Sequence, residues 1–407
     1  MNKCFDWYLQ TSLILRIFIG MLIGAFLGFV WPSLSGLSIL GTIFVGALKG
    51  VAPILVFILV LNALANTRQG VGGRFKIVTF LYLLGTFFAA TTAVIGSFLF
   101  PLTIKLDTAG ATNTPPGGLG EILTNLFSNM VANPIQALGN GNYVGILFWA
   151  IIFGVCLKKF AKPETLAFMR DLSEMVSDTV RIVIECAPFG ICGLMFSVVA
   201  ENGLAIFIDY GKLLLLLVGC MVVVAVIIDP LLIWIFTRKN PYPLTFQCLR
   251  SSGITAFFTR SSAANIPVNI ALCKKLGLDP EFYSVSIPLG ATINMGGAAV
   301  TITVMTLAVA HTMGVHLDLT TTIILSFLST LGACGASGVA GGSLLLIPMA
   351  CSIFGIVNDI AMQAVAVGFV IGVVQDSVET AINSSTDVMF TATAEIYERR
   401  NAAQGQS

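Results

Sequence analysis

Charge is what this chain has least of. Only 10% of its 407 residues are Asp, Glu, Lys or Arg, 56% are apolar, and the mean hydropathy is +0.93. A water-soluble domain carries about a quarter charged residues, so a soluble globular body is excluded. The 21 basic and 20 acidic residues nearly cancel, leaving a net charge of +1 and no call for a nucleic-acid partner. Histidine is confined to His311 and His316, both expected in one solvated loop rather than at a ligand site or a proton relay. The nine cysteines stand singly, mostly inside apolar runs. That pattern provides no disulfide framework and no metal-ligand spacing, and it reads as small buried hydrophobes. The segment Met1–Gln10 has no small-residue cleavage site, so no signal peptide is expected.

Long apolar runs, by contrast, are plentiful. A bilayer core of about 30 Å needs about 20 apolar residues. Eight runs qualify, near 11–32, 38–66, 77–104, 141–157, 175–200, 209–237, 282–310 and 357–396. Two further stretches, 251–273 and 320–352, are too rich in Ser, Ala and Gly to be simple spans. Basic residues collect in the loops holding Arg68, Arg74 and Lys76, then Lys158, Lys159, Lys162 and Arg170, then Arg238, Lys239 and Arg250, and at Arg399 and Arg400. The segment 107–140 has none. Positive charge marks the cytoplasmic side, so both termini face the cytoplasm and 107–140 faces out. The alternation holds only if each Ser/Gly-rich stretch enters and leaves on one side, the first from inside and the second from outside. The expectation is an all-α polytopic membrane protein with eight transmembrane helices and two re-entrant hairpins.

The last run carries oxygens where lipid would permit none. At about 100° per residue, Asp376, Thr380, Asn383 and Asp387 fall within about 60° of one another, with Glu379 close beside them. Ionisable groups at membrane depth mark a solute or ion path, and a stripe of oxygens suits Na+ and an ammonium group. Asp376 and Asp387 stand about 16 Å apart by helical rise, too far to share a proton as an aspartyl protease pair does. Gly335-Ala336-Ser337-Gly338 matches a serine-nucleophile pattern by letter, but both histidines are expected far from it, so no enzyme is read here. The hairpins would also suit a channel, against which the carboxylate stripe argues.

The final third repeats one grammar, a small-residue hairpin followed by an interrupted helix. The first copy is Thr259-Arg260-Ser261-Ser262-Ala263-Ala264-Asn265-Ile266-Pro267 with Gly290-Ala291-Thr292-Ile293-Asn294-Met295-Gly296-Gly297. The second is the Gly-rich 332–343 run with the carboxylate stripe. Starting from opposite sides, they form inverted repeats, which place a binding site at the midplane. Irregular backbone at that depth is tolerated only where it is buried or lines a cavity. Gly296-Gly297 is the expected unwinding point. Asn294, Asn383 and Asp387 offer side-chain oxygens for Na+, with backbone near Gly290.

These residues resemble the sodium-coupled dicarboxylate/amino acid symporter family, which includes the glutamate transporters, and within it the bacterial carriers of serine and threonine. The likeness is strongest over 251–390, in the Ser-rich hairpin, the "PLGATINMGGA" broken helix and the final stripe. It implies a Na+-coupled uptake carrier of elevator type, a homotrimer in the cell inner membrane. Scaffold helices 1–2 would lie in 1–76, and a third, transport-side helix with the outer loop in 77–140. Scaffold helices 4–5 and helix 6 would occupy 141–240, the transport core 241–400, and a cytoplasmic tail 401–407. The resemblance further implies that Asp376 takes the substrate ammonium and that Asn383, with backbone at Ser261 and Ser262, takes the carboxylate. Thr380 would line the side-chain pocket. One Na+ would sit at Asn294, Asn383 and Asp387, and a second on backbone at Thr292 and across Thr330, Leu331 and Ala333.

Two departures from the family pattern are informative. Acidic amino acid carriers have an arginine where this chain has Glu379, and a carboxylate there repels a dicarboxylate. Small neutral hydroxy amino acids, serine and threonine, are the expected substrates, with other amino acids or dicarboxylates as the alternative. The aspartate of the broken-helix motif is replaced by Gly296, and Gly85 stands where the third span should offer a hydroxyl, so one or two Na+ are expected rather than three. Arg260 is expected to pair with Glu379, and Arg181 with Glu185 one turn on. Asp229 is expected to be structural.

Overall fold

A computed structural model describes residues 11–66, 73–106, 124, 127–315, 317–335 and 341–404. No strand occurs among them. Much of 107–140, His316 and the heart of the second Gly-rich run, 336–340, lie outside the described residues.

The first helices follow the apolar runs. They are α1 (Leu13–Val30), α2 (Ser38–Ala65) and α3 (Gly73–Leu99), then the short α4 (Pro134–Asn140) and α5 (Tyr143–Phe160). The run expected as one span at 175–200 is instead shared by α6 (Pro163–Glu185) and α7 (Ala187–Asn202). Pro188 has no N–H to continue the ladder, so the helix breaks at Cys186 just before it. The next rod, α8 (Ile206–Val223), passes through a π turn at Val224–Ile228 into α9 (Asp229–Thr237).

The first hairpin is longer than 251–273. Its leading arm starts at Tyr242 and runs through α10 (Tyr242–Cys248), a second π turn at Leu249–Gly253 and α11 (Ile254–Thr259). Arg260 ends that arm in the left-handed region, at φ 52°, and α12 (Ile266–Lys275) returns. The seventh apolar run is two helices, α13 (Pro280–Ile293) and α14 (Gly296–Thr312). Asn294 and Met295 form the break, and the two glycines start α14 instead of unwinding it. The second hairpin has α15 (Leu319–Ala333) and a return ending in α16 (Ile347–Ser352). The last helix, α17, runs unbroken over Asn358–Gln404.

Among the described residues, six stretches are long and apolar enough to cross a membrane. The protein is an all-helical, multi-pass membrane protein. Helices α1, α2, α5, α6 and α7 pack on one another, and α3 packs on α14, α15 and α17 instead. Helix α14 is buried on every side from Gly296 to Ala310. A helix apolar all round that meets protein all round is the centre of a bundle.

One contact fixes the register between the two groups. Lys49 is the only charged residue in α2, about 16 Å along it from Ser38. It pairs with Asp359, the second residue of α17. The start of α17 is therefore level with the middle of α2.

A polar clamp closes the opposite end of the core. Arg74 bonds Asp279 at 2.7 Å and Glu398 at 2.6 Å, and the Asp279 N–H donates to buried Glu395 at 2.9 Å. The Arg74 guanidinium and the Glu281 N–H hold the Asp279 carboxyl below the ordinary carboxylate range. A carboxyl lowered on folding stabilises above its unfolded value, about 3.9, and loses that contribution as pH falls through its folded value. The thermal midpoint should stay flat at neutral pH and fall below about pH 4. Asp279→Asn should flatten that acid limb, read by detergent-solubilised melting across pH.

Histidine and arginine depart from expectation. His311 lies in the last turn of α14, not in a loop. Glu185 pairs with Arg16 at 3.0 Å, and Arg181 with Asp178 at 2.6 Å. Arg16 is only 10% exposed and needs a counter-ion, whereas Arg181 is 67% exposed and takes the acid one turn back on its own surface. Asp229 is buried at the start of α9, with Oδ2 unpartnered among the described residues.

Candidate functional site

The stripe on α17 is real and faces inward. Asp376, Glu379, Thr380, Asn383 and Asp387 are all buried. Helical spacing puts them on one face, and the two hairpins and the broken helix cover that face.

Asp376 is where the hairpins meet. From the first, Arg260 Nε donates to Asp376 Oδ2 at 2.6 Å; from the second, the Gly341 N–H donates to Oδ1 at 3.3 Å. Arg260 therefore pairs with Asp376 and not with Glu379. The left-handed turn at Arg260 aims its side chain back at the first carboxylate of the stripe, three residues before Glu379. Ser261 and Ser262 are half-buried in the same tip, where Ser261 Oγ accepts the Ala264 N–H at 3.2 Å.

Glu379 is held by neutral donors instead. Thr301 Oγ1 donates to its Oε2 at 2.7 Å and Ser343 Oγ at 2.9 Å, and Gln375 Nε2 reaches the same oxygen. Thr380 is buried alongside and makes no side-chain hydrogen bond among the described residues.

One turn further along, the stripe meets the break. Asn383 Oδ1 accepts the Gly297 N–H at 2.7 Å, the first turn of α14. A Cβ on Gly297 would lie 2.8 Å from the Glu379 carbonyl oxygen, so only glycine lets α14 approach this closely. Asn294 Nδ2 donates to Asp387 Oδ1 at 2.9 Å, to Thr386 Oγ1 at 2.8 Å and to the Asn383 carbonyl at 3.2 Å. Asp387 Oδ2 is buried with no partner among the described residues. Gly290 makes room for that carboxylate, since a Cβ there would be 2.5 Å from Oδ1. Asn294, Asn383, Asp387 and Gly290 thus come together. An unfilled carboxylate oxygen among amide and carbonyl oxygens is a donor set for a hard cation.

At the second expected ion position the structure shows a single approach between the two helix ends. Cys334 Sγ lies 3.3 Å from the Thr330 carbonyl and 3.4 Å from the Ile293 carbonyl. Cys334, just past the end of α15, therefore approaches the last residue of α13, Ile293, next to Thr292 in the chain. At the third position the ring of Phe390 lies against Gly85, and the Thr86 hydroxyl is spent on the Tyr82 carbonyl at 2.7 Å.

Several contributors lay outside the sequence reading. Asn265 and Asn269, one turn apart, reach Ser384 Oγ at 2.7 and 3.1 Å and pin the first hairpin to α17. The π turn at Leu249–Gly253 leaves the Ser252 carbonyl for Asn265 Nδ2, at 3.3 Å. The i, i+4 asparagines were a readable signal. Thr301 and Ser343 carried none, because each is one small hydroxyl among many in apolar helices.

An all-helical membrane bundle with a polar site between two helical hairpins and a broken helix is the build of a secondary carrier. The chain belongs to the sodium:dicarboxylate symporter family, whose pattern it matches over residues 13–395. It is 57% identical over 392 residues to the serine/threonine transporter SstT of Bifidobacterium adolescentis, covering 96% of this chain and 91% of that one. It is 54% identical over 396 residues to the serine/threonine transporter SstT of Streptococcus thermophilus (strain LMG 18311), covering 97% and 98%. These relatives are transporters, not enzymes.

Proposed function

We propose that the protein is a Na+-coupled importer of serine and threonine, working by an elevator-type alternation of a transport core against a scaffold. The observation that carries this reading is the convergence of both hairpins on Asp376, one turn from Glu379 and two to three turns from the Asn294–Asp387 pair. A zwitterion set there finds a carboxylate for its ammonium, tip backbone and Asn383 for its carboxylate, and Glu379 for its hydroxyl. Na+ at Asp387 would fill the unpartnered oxygen and tie substrate binding to ion binding. The names of the relatives support serine and threonine.

On this reading the eight spans are α1, α2, α3, α5, α6–α7, α8–α9, α13–α14 and α17. The hairpins are α10–α12 and α15–α16. Both termini are cytoplasmic in the inner membrane, and the carrier is a homotrimer. With α2 and α17 both starting on the outer face, the Lys49–Asp359 register puts the core about 16 Å inward, an inward-facing position. A Lys49→Cys/Asp359→Cys pair should cross-link with Hg2+ and stop transport until the metal is removed. Full uptake after verified cross-linking would reject movement between these helices.

Accumulation of labelled serine in proteoliposomes under an imposed Na+ gradient tests the function. Threonine should compete strongly and aspartate weakly, with one or two Na+ moved per serine. Uptake without Na+ dependence, or aspartate as the best competitor, would overturn the reading.

A further inference from the structure

Glu379 is bonded lopsidedly. Thr301, Ser343 and Gln375 all reach Oε2, and Gln375 Nε2 also bonds Thr301 Oγ1 at 2.7 Å. Among the described residues no donor reaches Oε1. The three come from different elements: Thr301 from α14, Gln375 from α17, and Ser343 from the return of the second hairpin. Gln375 is fully buried, and its own Oε1 has no partner among the described residues. The pocket therefore holds acceptors without donors, on a carboxylate whose other oxygen is clamped.

We infer that Thr301, Ser343 and Gln375 are positioning residues for hydroxyl selectivity: they hold Glu379 by Oε2 and so present Oε1 to the substrate hydroxyl. This rests on the proposed serine and threonine transport. A carboxylate oxygen accepts and never donates when ionised, so it rewards a ligand O–H. A ligand lacking that donor leaves a buried acceptor unmade, which is how polar pockets reject apolar analogues. Because Ser343 sits on the hairpin, its bond to Glu379 forms only when the hairpin is seated. Hydroxyl recognition and hairpin closure thus share one carboxylate, the first at Oε1 and the second at Oε2.

The test compares serine with alanine, its analogue without the hydroxyl, in proteoliposomes holding Ser343→Ala, Thr301→Val or Ser343→Thr. Serine KM and the alanine concentration that halves serine uptake are both read. Ser343→Ala and Thr301→Val should weaken serine about tenfold and alanine about twofold or less, since one charge-assisted bond is lost. Ser343→Thr, which keeps the hydroxyl, should retain most of the preference. If alanine does not inhibit the wild type, a serine KM restored in Ser343→Thr but not in Ser343→Ala supports the inference. Equal weakening of both ligands, or an unchanged serine KM, overturns it. Should buried Thr301→Val not survive purification, Ser343→Ala decides. Failure of the wild type to take up serine with Na+ would instead refute the function itself.

Discussion

Asp376→Asn is expected to reduce Na+-driven serine uptake more than 100-fold while leaving the protein monodisperse in detergent. Asparagine keeps the shape and loses the charge. The structure shows what that charge does: it is buried, it ties Arg260 of one hairpin at 2.6 Å, and it accepts the Gly341 N–H of the other. On the proposed reading it must also meet the ammonium group. Removing one partner of a buried pair costs about 3–5 kcal/mol, which is two to three or more decades of affinity. The same change leaves Arg260, 14% exposed, without its counter-ion. A double-mutant cycle with Arg260→Gln should therefore show strong coupling. Uptake at the wild-type rate in Asp376→Asn would remove Asp376 from the site.

The second large effect concerns the ion. Asp387→Asn should raise the Na+ concentration for half-maximal uptake at least tenfold, with a smaller change in serine KM at saturating Na+. Asp387 Oδ1 is occupied by Asn294, and Oδ2 has no protein partner among the described residues. An amide cannot supply a second anionic oxygen to a cation. Gly290→Ala attacks the same point from the backbone side. Its Cβ would lie 2.5 Å from Asp387 Oδ1 and 2.9 Å from the Tyr82 hydroxyl, so the carboxylate must turn away. Both variants should fail in the same way, and initial rates across a Na+ titration would check it. An unchanged Na+ dependence in both would place the coupling ion elsewhere.

The failed pairing of Arg260 with Glu379 shows what linear reasoning omits. Two charges in one apolar region each need compensation, and their positions along the chain suggest one another as partners. The structure compensates Arg260 with Asp376, and Glu379 with two hydroxyls and an amide. Which acid a hairpin arginine reaches depends on the handedness of its terminal turn, and φ at Arg260 is set by how the tip packs. Arg181 and Glu185 teach the same lesson, since a neighbouring helix offered Arg16.

Composition and period alone determined the membrane class, the stripe on the last helix and an interruption in the seventh apolar run, which they placed at Gly296-Gly297 rather than at Asn294-Met295. These are local properties: solvation decides where charge is tolerated, and helical geometry decides which residues share a face. Tertiary structure alone decided that Arg260 and Gly341 both reach Asp376, that Thr301, Ser343 and Gln375 hold Glu379 by one oxygen, and that α17 begins beside the middle of α2. Those facts depend on the relative depth and rotation of helices up to 310 residues apart in the chain. Packing between such segments is settled by complementary side-chain shapes and buried hydrogen bonds, which no single helix contains.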